Sequence, residues 1–539
     1  MSLPVQKENT PSARRGLSRL QKPNSSPTWL RYAMQFLLAV VLMLFGWWWG
    51  WGEPTLIALL EGEGPDFITT MLTYHQSLDP LIRNNSFYVS LIEAALLRVG
   101  LMFGLSAMLL WLGWPALSRR WHLFLQEPVR PQALAVFRII CFGTLLYYPD
   151  YETILRMSAL PAAVLVPPPG WHWILNHFQP SPGLLSGLIP AYQIAAVAAL
   201  LGFRTRWTAL ATVVLGLWVL GIPQFYGKIN HFHHLLWFGT LAAFAPVSQV
   251  WSVDSWRKPA VFNSQEHRYY LAVILLSITV IYFFAVWWKV LGGGGAWLWG
   301  DAARWQLETQ ALRLKEPLPN WLLAYPILFK WLGLGTVLLE LSWGWWMLVR
   351  KSRVWILSAG LLFHWSIYVI MDINFWVLPV FYLVFLPFQR WFKVEEQSVG
   401  AVWAVRPWHW TRIYLALIAL FGLLHLDSWP LAVYPSFGNP PETKVWQVSL
   451  EYYAGEEYRT VALVGDLELR RWLPKSRLMG LHTQLTGNEE KAAQKIELLD
   501  PFYCEALHLS QEQARRYVKR KMDLKTGDVL ETRELWRFP

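Results

Sequence analysis

One lysine and three histidines crowd the edge of an apolar segment at residues 223–246, PQFYGKINHFHHLLWFGTLAAFAP. The second half of this run is typical of a membrane span. The first half places five polar side chains at its start: Lys228, Asn230, His231, His233 and His234. Ionisable groups are costly beside a bilayer, so they commonly mark a functional site. A lysine in a low-dielectric pocket loses proton affinity, and its neutral amine can abstract a proton near neutral pH. The run therefore predicts a proton-accepting amine at a membrane interface.

A simpler interpretation of Lys228 is that it extends to the lipid headgroups, as lysines near the ends of spans commonly do. Two features argue against it. Lys228 lies on the side of the membrane where the positive-inside pattern makes lysine scarce, and an imidazole-rich turn follows it.

The histidines leave more than one interpretation open. His231 and His234 are three residues apart and share a helix face. A metal site would need a third ligand such as His172, His177 or His364, and no carboxylate or cysteine completes a set, so we expect no metal. The cluster then either lines a wet cavity through hydrogen bonds or orients the lysine or its substrate.

Four more ionisable residues fall within or beside apolar segments: Arg138, Lys289, Glu340 and His364. Lys289 ends the segment YFFAVWWKV and is a second cation candidate. Glu340 is expected to pair with Arg138 or with a lysine, or to be protonated. For both Glu340 and His364, a structural hydrogen bond to a neighbouring helix is an equal alternative to a functional role.

Composition identifies the elements that must position these groups. The 539 residues are 54% hydrophobic and 15% charged, with 36 Trp, whereas soluble proteins carry about 25% charged residues. Many apolar segments approach the ~20 residues that a helix needs to cross a bilayer. We expect an all-α polytopic membrane protein with about 9–11 transmembrane helices, and re-entrant segments are an alternative for two of the short ones. The expected spans lie near residues 32–51, 88–114, 133–148, 186–203, 207–222, 234–250, 269–291, 326–349, 354–371, 375–389 and 412–429.

The charge pattern indicates orientation rather than a nucleic-acid partner. The net charge of +11 comes from Lys and Arg clustered at span ends, which is the positive-inside pattern. The N-terminus is then cytoplasmic, and Lys228 and the C-terminal residues are extracytoplasmic. The two cysteines, Cys141 and Cys504, fall in different environments, so we expect no disulfide.

Three regions follow from this pattern: a disordered basic cytoplasmic tail at 1–31, a multi-span domain at 32–429 and a small soluble extracytoplasmic α+β domain at 430–539. In the last, the alternating residues around Gly455 predict a β-hairpin. Residues 510–522 predict a helix capped by Ser510, and DVLETRELWRFP predicts a closing strand.

Several short segments, in order, resemble the membrane part of vitamin K-dependent gamma-carboxylases. In GKINHFHHLLWFGTLAAFAPVSQVWSVDSW, Lys228 and His234 have the family's spacing, and residues 251–254 supply its closing WSVD element. Later segments that resemble the family include YFFAVWWK with Lys289, LLELSWGWWML with Glu340 and LLFHWSIYVIMDINFW with His364. The arginine of LAVFRIICFGTLL, Arg138, matches the FR element of the wider horizontally transferred transmembrane (HTTM) domain family. The resemblance covers about residues 130–390.

The resemblance implies a reaction and its participants. In that family a lysine takes a proton from a reduced naphthoquinone such as reduced vitamin K. Oxygen converts the anion into a stronger base, which deprotonates a glutamate γ-carbon, and carbon dioxide traps the carbanion while the quinone epoxide leaves. Here Lys228 would be the base and His234 its support, while Asn230, His231, His233, Lys289, Glu340, His364 and Arg138 would be supporting polar or quinone-pocket residues.

The partners implied are the lipid bilayer, a lipid quinone and a secreted protein or peptide substrate. The membrane would be the bacterial inner membrane, or the endoplasmic reticulum in a eukaryote. Two other hypotheses compete with this enzyme. One is a non-enzymatic HTTM-family protein acting in export, maturation or immunity, and the other is a transporter or channel, for which we find no internal repeat.

Overall fold

A computed structural model describes residues 28–66, 69, 85–229, 232–257, 262–293, 295–314, 318, 320–388, 391–392, 408–424, 428–432, 444–455, 457–524 and 526–539. The chain divides into two compact units, Met1–His122 and Leu123–Pro539. In the first, helices at Thr28–Trp47 and Glu53–Leu60 flank a π-helical turn, Trp48–Gly52. The helix Asn85–Gln126 begins in this unit and ends in the second.

Most of the second unit is helical. Asp150 caps one helix by accepting a hydrogen bond from the Thr153 amide at 3.1 Å, and Ser181 caps another. The helices are Pro131–Tyr147, Tyr151–Ser158, His172–His177, Pro182–Leu201, Thr205–Val219, His234–Phe244, Val253–Arg257, Ser264–Gly293, Gly295–Trp299, Ala302–Leu314, Asn320–Leu323, Ile327–Leu348, Arg353–Met371 and Trp408–Leu423, with 3₁₀ turns at Ala162–Val164, Ile222–Phe225 and Pro379–Phe385.

Among the described residues, five helical segments are long and apolar enough to cross a membrane, or six if a bent helix pair counts as one span. They are Pro182–Leu201, Thr205–Phe225, Ser264–Gly293, Ile327–Leu348 and Arg353–Met371. The structure thus supports a mostly helical membrane protein, in which five or six candidate spans of the described residues meet this criterion against the 9–11 expected for the whole chain.

Short buried segments account for part of the difference. The expected span 234–250 is an 11-residue helix, His234–Phe244, and 375–389 contains a 3₁₀ turn, Pro379–Phe385. The last expected span, 412–429, contains a helix that ends at Leu423. Apolar segments this short are more typical of a protein interior than of a complete bilayer crossing.

The C-terminal residues form a four-stranded antiparallel sheet in the order β2-β1-β3-β4. The strands are β1 (Lys444–Ala454), β2 (Glu457–Ala462), β3 (Arg515–Asp523) and β4 (Val529–Phe538). The β1–β2 hairpin turns at Gly455, whose φ is +80°, so the predicted hairpin and closing strand are confirmed. Three helices lie between β2 and β3 in the chain: Leu467–Trp472, Lys475–Leu485 and Glu489–Ala506.

The helix predicted at 510–522 is wrong, because most of this segment is strand β3. Arg515 and Tyr517, two residues apart, both bind the buried carboxylate of Asp500. Alternate residues of a strand share a face, whereas residues two apart on a helix do not. The Ser510 hydroxyl accepts from the amide of Glu512 in a turn and caps no helix.

Candidate functional site

A lysine and a glutamate form an ion pair inside the helical bundle. Lys289, near the end of the Ser264–Gly293 helix, places its Nζ 2.5 Å from Oε2 of Glu340 on the Ile327–Leu348 helix. Their side chains are 3% and 7% exposed. The Lys289 ammonium also lies 5.6 Å from the ring centroid of Trp297. Of the alternatives considered for Glu340, the structure therefore shows the ion pair with a lysine, Lys289.

A hydrogen-bonded network of tyrosine and histidine side chains begins at Tyr282, which lies seven residues before Lys289 on the same helix. The Tyr282 hydroxyl is 2.7 Å from Nε2 of His364 and also bonds the hydroxyl of Tyr382. The other ring nitrogen of His364, Nδ1, is buried and has no hydrogen-bond partner within the described residues. Since a buried unsatisfied nitrogen is costly, this atom is the one in the network most suited to a ligand.

The Lys289–Glu340 ion pair and the Tyr282–His364 pair line one apolar cavity of about 150 Å³. Its lining includes the ionisable side chains of Tyr282, Lys289, Glu340 and His364. Gln306, Thr336 and Ser366 add further polar side chains. Apolar and aromatic side chains supply most of the rest of the wall, including Ile281, Trp297, Phe363, Ile367, Met371 and Phe375. Small-molecule sites commonly combine such walls with a few polar groups.

Lys228 lines a second cavity, and two glycines position it. Gly227 has φ +91°, and a Cβ there would lie 3.2 Å from the Gly480 carbonyl oxygen. A Cβ on Gly480 would lie 2.8 Å from the carbonyl oxygen of Tyr226. The turn before Lys228 therefore touches the Lys475–Leu485 helix backbone to backbone. The half-buried Lys228 amine lies 3.7 Å from Sδ of Met479 on that helix.

This second cavity holds about 980 Å³ and is much more polar than the dry niche that the sequence suggested for Lys228. Its charged lining residues are the cations Lys228, Arg470, Lys475 and Arg477 and the carboxylates Asp150 and Asp372. The Asp372 carboxylate pairs with Arg470 at 2.6 Å and lies 3.7 Å from Lys475. The lining thus carries four cations against two carboxylates and suits an anionic ligand.

Arg477 ties the C-terminal domain to the bundle. Its Nη1 donates to the carbonyl of Pro223 at 2.8 Å, and its guanidinium lies over the Phe232 ring. Burial lowers the pKa of Arg477 to about 10, although nearby Tyr148 and Asp150 oppose the shift. At neutral pH this guanidinium therefore still carries its positive charge into the cavity.

The two cavities share part of their walls. Gln306, Phe375 and Val377 line both of them. His234 supports this shared wall, since its Nε2 lies 3.1 Å from the Val377 carbonyl oxygen. His234 is fully buried and is not among the residues that line either cavity.

The remaining predicted site residues lie elsewhere. His233 is buried against Trp237, with ring centroids 4.8 Å apart. Asn230 and His231 lie outside the described residues. Across the residues that the structure describes, no three His, Cys, Asp or Glu side chains come together as a metal site.

Arg138 braces a loop and lines neither cavity. Its guanidinium donates to the carbonyl oxygens of Leu200 at 3.2 Å and Val247 at 2.9 Å, and to that of Trp251. Just after this loop, in the short helix Val253–Arg257, the Asp254 carboxylate accepts from the amides of Arg204 and Thr205 at 2.8 and 2.9 Å. The FR and WSVD elements are thus joined by structural hydrogen bonds.

Sequence reasoning missed several residues that line the cavities. Tyr282 belongs to the segment YFFAVWWK that resembles the family, and its seven-residue spacing to Lys289, which places both on one helix face, could have assigned it to the site. Asp372 could have been noticed as a carboxylate at the end of a predicted span. No sequence signal brings Arg470, Lys475 and Arg477 to Lys228, because about 250 residues separate them.

Comparison with known families matches one domain. The HTTM domain family matches residues 126–391, and this domain is found in vitamin K-dependent carboxylase-like proteins. The match includes the bundle walls of both cavities and ends before the C-terminal sheet. No curated protein and no solved structure matches the chain. The chain is therefore a membrane protein that carries an HTTM domain over residues 126–391.

Proposed function

We propose that this protein is a quinol-dependent membrane enzyme resembling vitamin K-dependent gamma-glutamyl carboxylase. One observation carries the proposal: an apolar, aromatic-walled cavity inside the bundle adjoins a polar, cationic cavity that contains Lys228. The first would take the ring of reduced vitamin K or another naphthoquinol. The second would take a glutamate side chain of a protein or peptide, on the extracytoplasmic side of a bacterial inner membrane or of the endoplasmic reticulum.

The residues of the smaller cavity fit a flat ring that carries oxygen substituents. Phe363, Phe375 and Trp297 provide aromatic surface, which favours stacked or edge-on ring contacts. The unpartnered Nδ1 of His364 can hydrogen-bond a ring oxygen. Tyr282 holds the other nitrogen of that imidazole and so fixes its orientation.

The larger cavity supports the acceptor half of the reaction. A carboxylate there would meet Arg477 and Lys475, whose side chains are already anchored to backbone carbonyls at 2.8 and 3.1 Å. Anchored cations lose little further side-chain freedom on binding. The volume is within the range of ligand sites, about 300–1,000 Å³, and exceeds what one glutamate side chain fills.

Each protein group then has a proposed task. A bound naphthoquinol supplies the reducing equivalents, and oxygen and carbon dioxide are co-substrates. Lys228, as a neutral amine, would take a proton from the quinol at the wall that the two cavities share, and His234 positions that wall through Val377. Lys475 and Arg477 remain the cations that meet the carboxylate. Lys289 and Glu340, held as a pair, bring polar groups to the ring cavity without adding net charge to it.

Mass spectrometry of quinone products tests this function. Purified protein given reduced vitamin K, oxygen and bicarbonate should form quinone epoxide. Lys228→Ala should slow this by about 10²–10⁴-fold, the usual contribution of general acid–base catalysis. Lys351→Ala is the matched control, because Lys351 is exposed and lines neither cavity. Unchanged epoxide formation in Lys228→Ala would reject the role of this lysine.

The second candidate is a non-enzymatic HTTM-family membrane protein that acts in export, maturation or immunity. The Lys289–Glu340 pair favours it, because a saturated ion pair can serve stability alone. Quinol binding without any oxidation product in the wild-type protein would support this alternative.

A further inference from the structure

A third cavity, of about 100 Å³, is surrounded by arginines. The charged groups in its lining are Arg130, Arg268, Arg350 and Arg353, with Glu127 as the carboxylate among them. Four guanidinium groups against one carboxylate give this lining a formal charge of +3 (4 − 1). One carboxylate does not balance four guanidinium groups, so the lining favours an anionic ligand.

This arginine crevice lies one helix length from the two cavities of the proposed reaction. Arg353 begins the Arg353–Met371 helix, and Met371, at its other end, lines the apolar cavity. A helix of 19 residues is about 28 Å long at 1.5 Å per residue. This length is close to the ~30 Å hydrocarbon thickness of a bilayer. The crevice is therefore at the level of lipid headgroups on the opposite side of the membrane from Met371.

Two of the arginines are fixed by the protein itself. Glu127 accepts from Nη1 and Nη2 of Arg353 at 2.5 and 2.8 Å. Arg268 donates from Nε to the Glu127 carbonyl at 2.9 Å and from Nη2 to the Pro128 carbonyl at 3.0 Å. Arg130 and Arg350 add two further positive charges at the cavity wall, and the single lining carboxylate is already engaged by Arg353.

The rest of the crevice is apolar. Phe124 is 1% exposed, and the guanidinium carbons of Arg268 and Arg353 lie 4.8 and 5.0 Å from its ring centroid. Further apolar wall comes from Leu271, Leu357, Val384 and Phe388. A site with cations beside buried apolar side chains matches a ligand that is anionic at one end and apolar at the other.

We propose that the arginine crevice binds the phosphate group of an anionic membrane lipid. Its volume of about 100 Å³ is the smallest of the three cavities described, so the phosphate group would occupy the crevice and the acyl chains would remain in the bilayer. Basic pockets between transmembrane helices bind lipid head groups in other membrane proteins. The site is independent of quinol chemistry and does not rest on the proposed function.

Native mass spectrometry of the full-length protein in detergent tests the proposal, with phosphatidylglycerol as the titrated lipid. The double variant Arg130→Gln/Arg350→Gln removes two charges and leaves the Glu127 contacts intact. Each basic residue near an anionic membrane surface contributes about fivefold to lipid binding, so the double variant should bind roughly 30-fold more weakly. Arg206→Gln is the control, because Arg206 is exposed and lines none of the three cavities.

Two further titrations distinguish the phosphate group of a lipid from free inorganic phosphate. Phosphatidylcholine should bind much more weakly than phosphatidylglycerol, and inorganic phosphate should fail to displace the bound lipid at millimolar concentration. Displacement of phosphatidylglycerol by inorganic phosphate would overturn the lipid assignment in favour of a free-anion site. Equal phosphatidylglycerol binding by the wild type and the double variant would overturn the site altogether.

Discussion

Glu340→Gln should destabilise the bundle strongly, because it leaves the Lys289 ammonium without its counter-charge. The pair is 2.5 Å apart and almost fully buried. Removing one partner of a buried ion pair costs about 3–5 kcal/mol, since the remaining charge is desolvated and uncompensated. Replacing both partners removes the charge as well as the attraction, and such replacements are often close to neutral. The double variant Lys289→Met/Glu340→Gln should therefore recover most of the loss.

Equilibrium unfolding in mixed detergent micelles, followed by circular dichroism, measures both effects. We expect Glu340→Gln to lose about 3–5 kcal/mol of unfolding free energy and the double variant to lie within about 2 kcal/mol of wild type. Glu457→Gln is the control, because Glu457 is an exposed glutamate of strand β2 outside the bundle. A loss below about 1 kcal/mol in Glu340→Gln, a size typical of exposed pairs, would refute the buried-pair account. A double variant Lys289→Met/Glu340→Gln as unstable as Glu340→Gln would refute it as well.

The other predictions concern close packing and pH. Gly202→Ala should destabilise the bundle by more than about 1 kcal/mol, because Gly202 has φ +71° and a Cβ would lie 2.3 Å from that of Ser252. Gly480→Ala should loosen the C-terminal domain, since its Cβ would lie 2.8 Å from the Tyr226 carbonyl oxygen; hydrogen exchange of residues 475–485 should become faster. Burial raises the pKa of Glu451, but hydrogen bonds from Arg520 and Arg516 lower it overall. Its contribution to stability is therefore present above the unfolded pKa of ~4.3 and is lost as the pH falls through the lower folded value. Glu451→Gln should accordingly speed hydrogen exchange in the sheet at pH 7, and this difference from wild type should vanish in strong acid.

Matched glycines and a matched glutamate control these measurements. Gly187→Ala and Gly487→Ala place a Cβ where no atom lies within 4 Å, so neither should lower stability or speed exchange. Glu457→Gln, at an exposed position of strand β2, should leave hydrogen exchange of the sheet nearly unchanged at pH 7. Stable Gly202→Ala or Gly480→Ala variants would contradict the close approaches described above, and a Glu451→Gln effect that persists in strong acid would contradict the sign of the pKa shift.

The long apolar helices could be predicted from sequence, whereas the short buried ones could not be told from spans. Ser264–Gly293 combines 30 residues with high mean hydropathy, so its helical and membrane character follow from composition. The helix His234–Phe244 and the 3₁₀ turn Pro379–Phe385 have a similar composition, but most of their residues are buried inside the protein. Hydropathy records how apolar a segment is and does not record whether lipid or protein surrounds it.

The secondary structure of strand β3 could not be predicted from its own sequence, for a different reason. RRYVKRKM is rich in Arg, Lys and Met, which favour helix when nothing else intervenes. In the structure, pairing with β1 and β4 and the contacts of Arg515 and Tyr517 with Asp500 decide the conformation. Strand preferences depend on neighbouring strands, and those neighbours lie far away in the sequence.

The candidate site was only partly visible in the sequence. Lys289, Glu340 and His364 were recognisable because ionisable groups within apolar segments are costly. Lys228 was recognisable from its unusual surroundings. The cations around Lys228 come from the C-terminal domain, so the polar character of its cavity emerges only when that domain packs against the bundle.

The most direct test of the central claim is an incubation of the purified protein with reduced vitamin K, ¹⁸O₂ and ¹³C-bicarbonate plus a glutamate-containing peptide. The products are read by mass spectrometry. Wild-type protein should yield quinone epoxide carrying oxygen-18 and peptide carrying carbon-13 in a new carboxyl group, and Lys228→Ala should form both about 10²–10⁴-fold more slowly. Wild-type protein that binds the quinol but leaves both quinone and peptide unlabelled would contradict the account and favour a non-enzymatic HTTM protein.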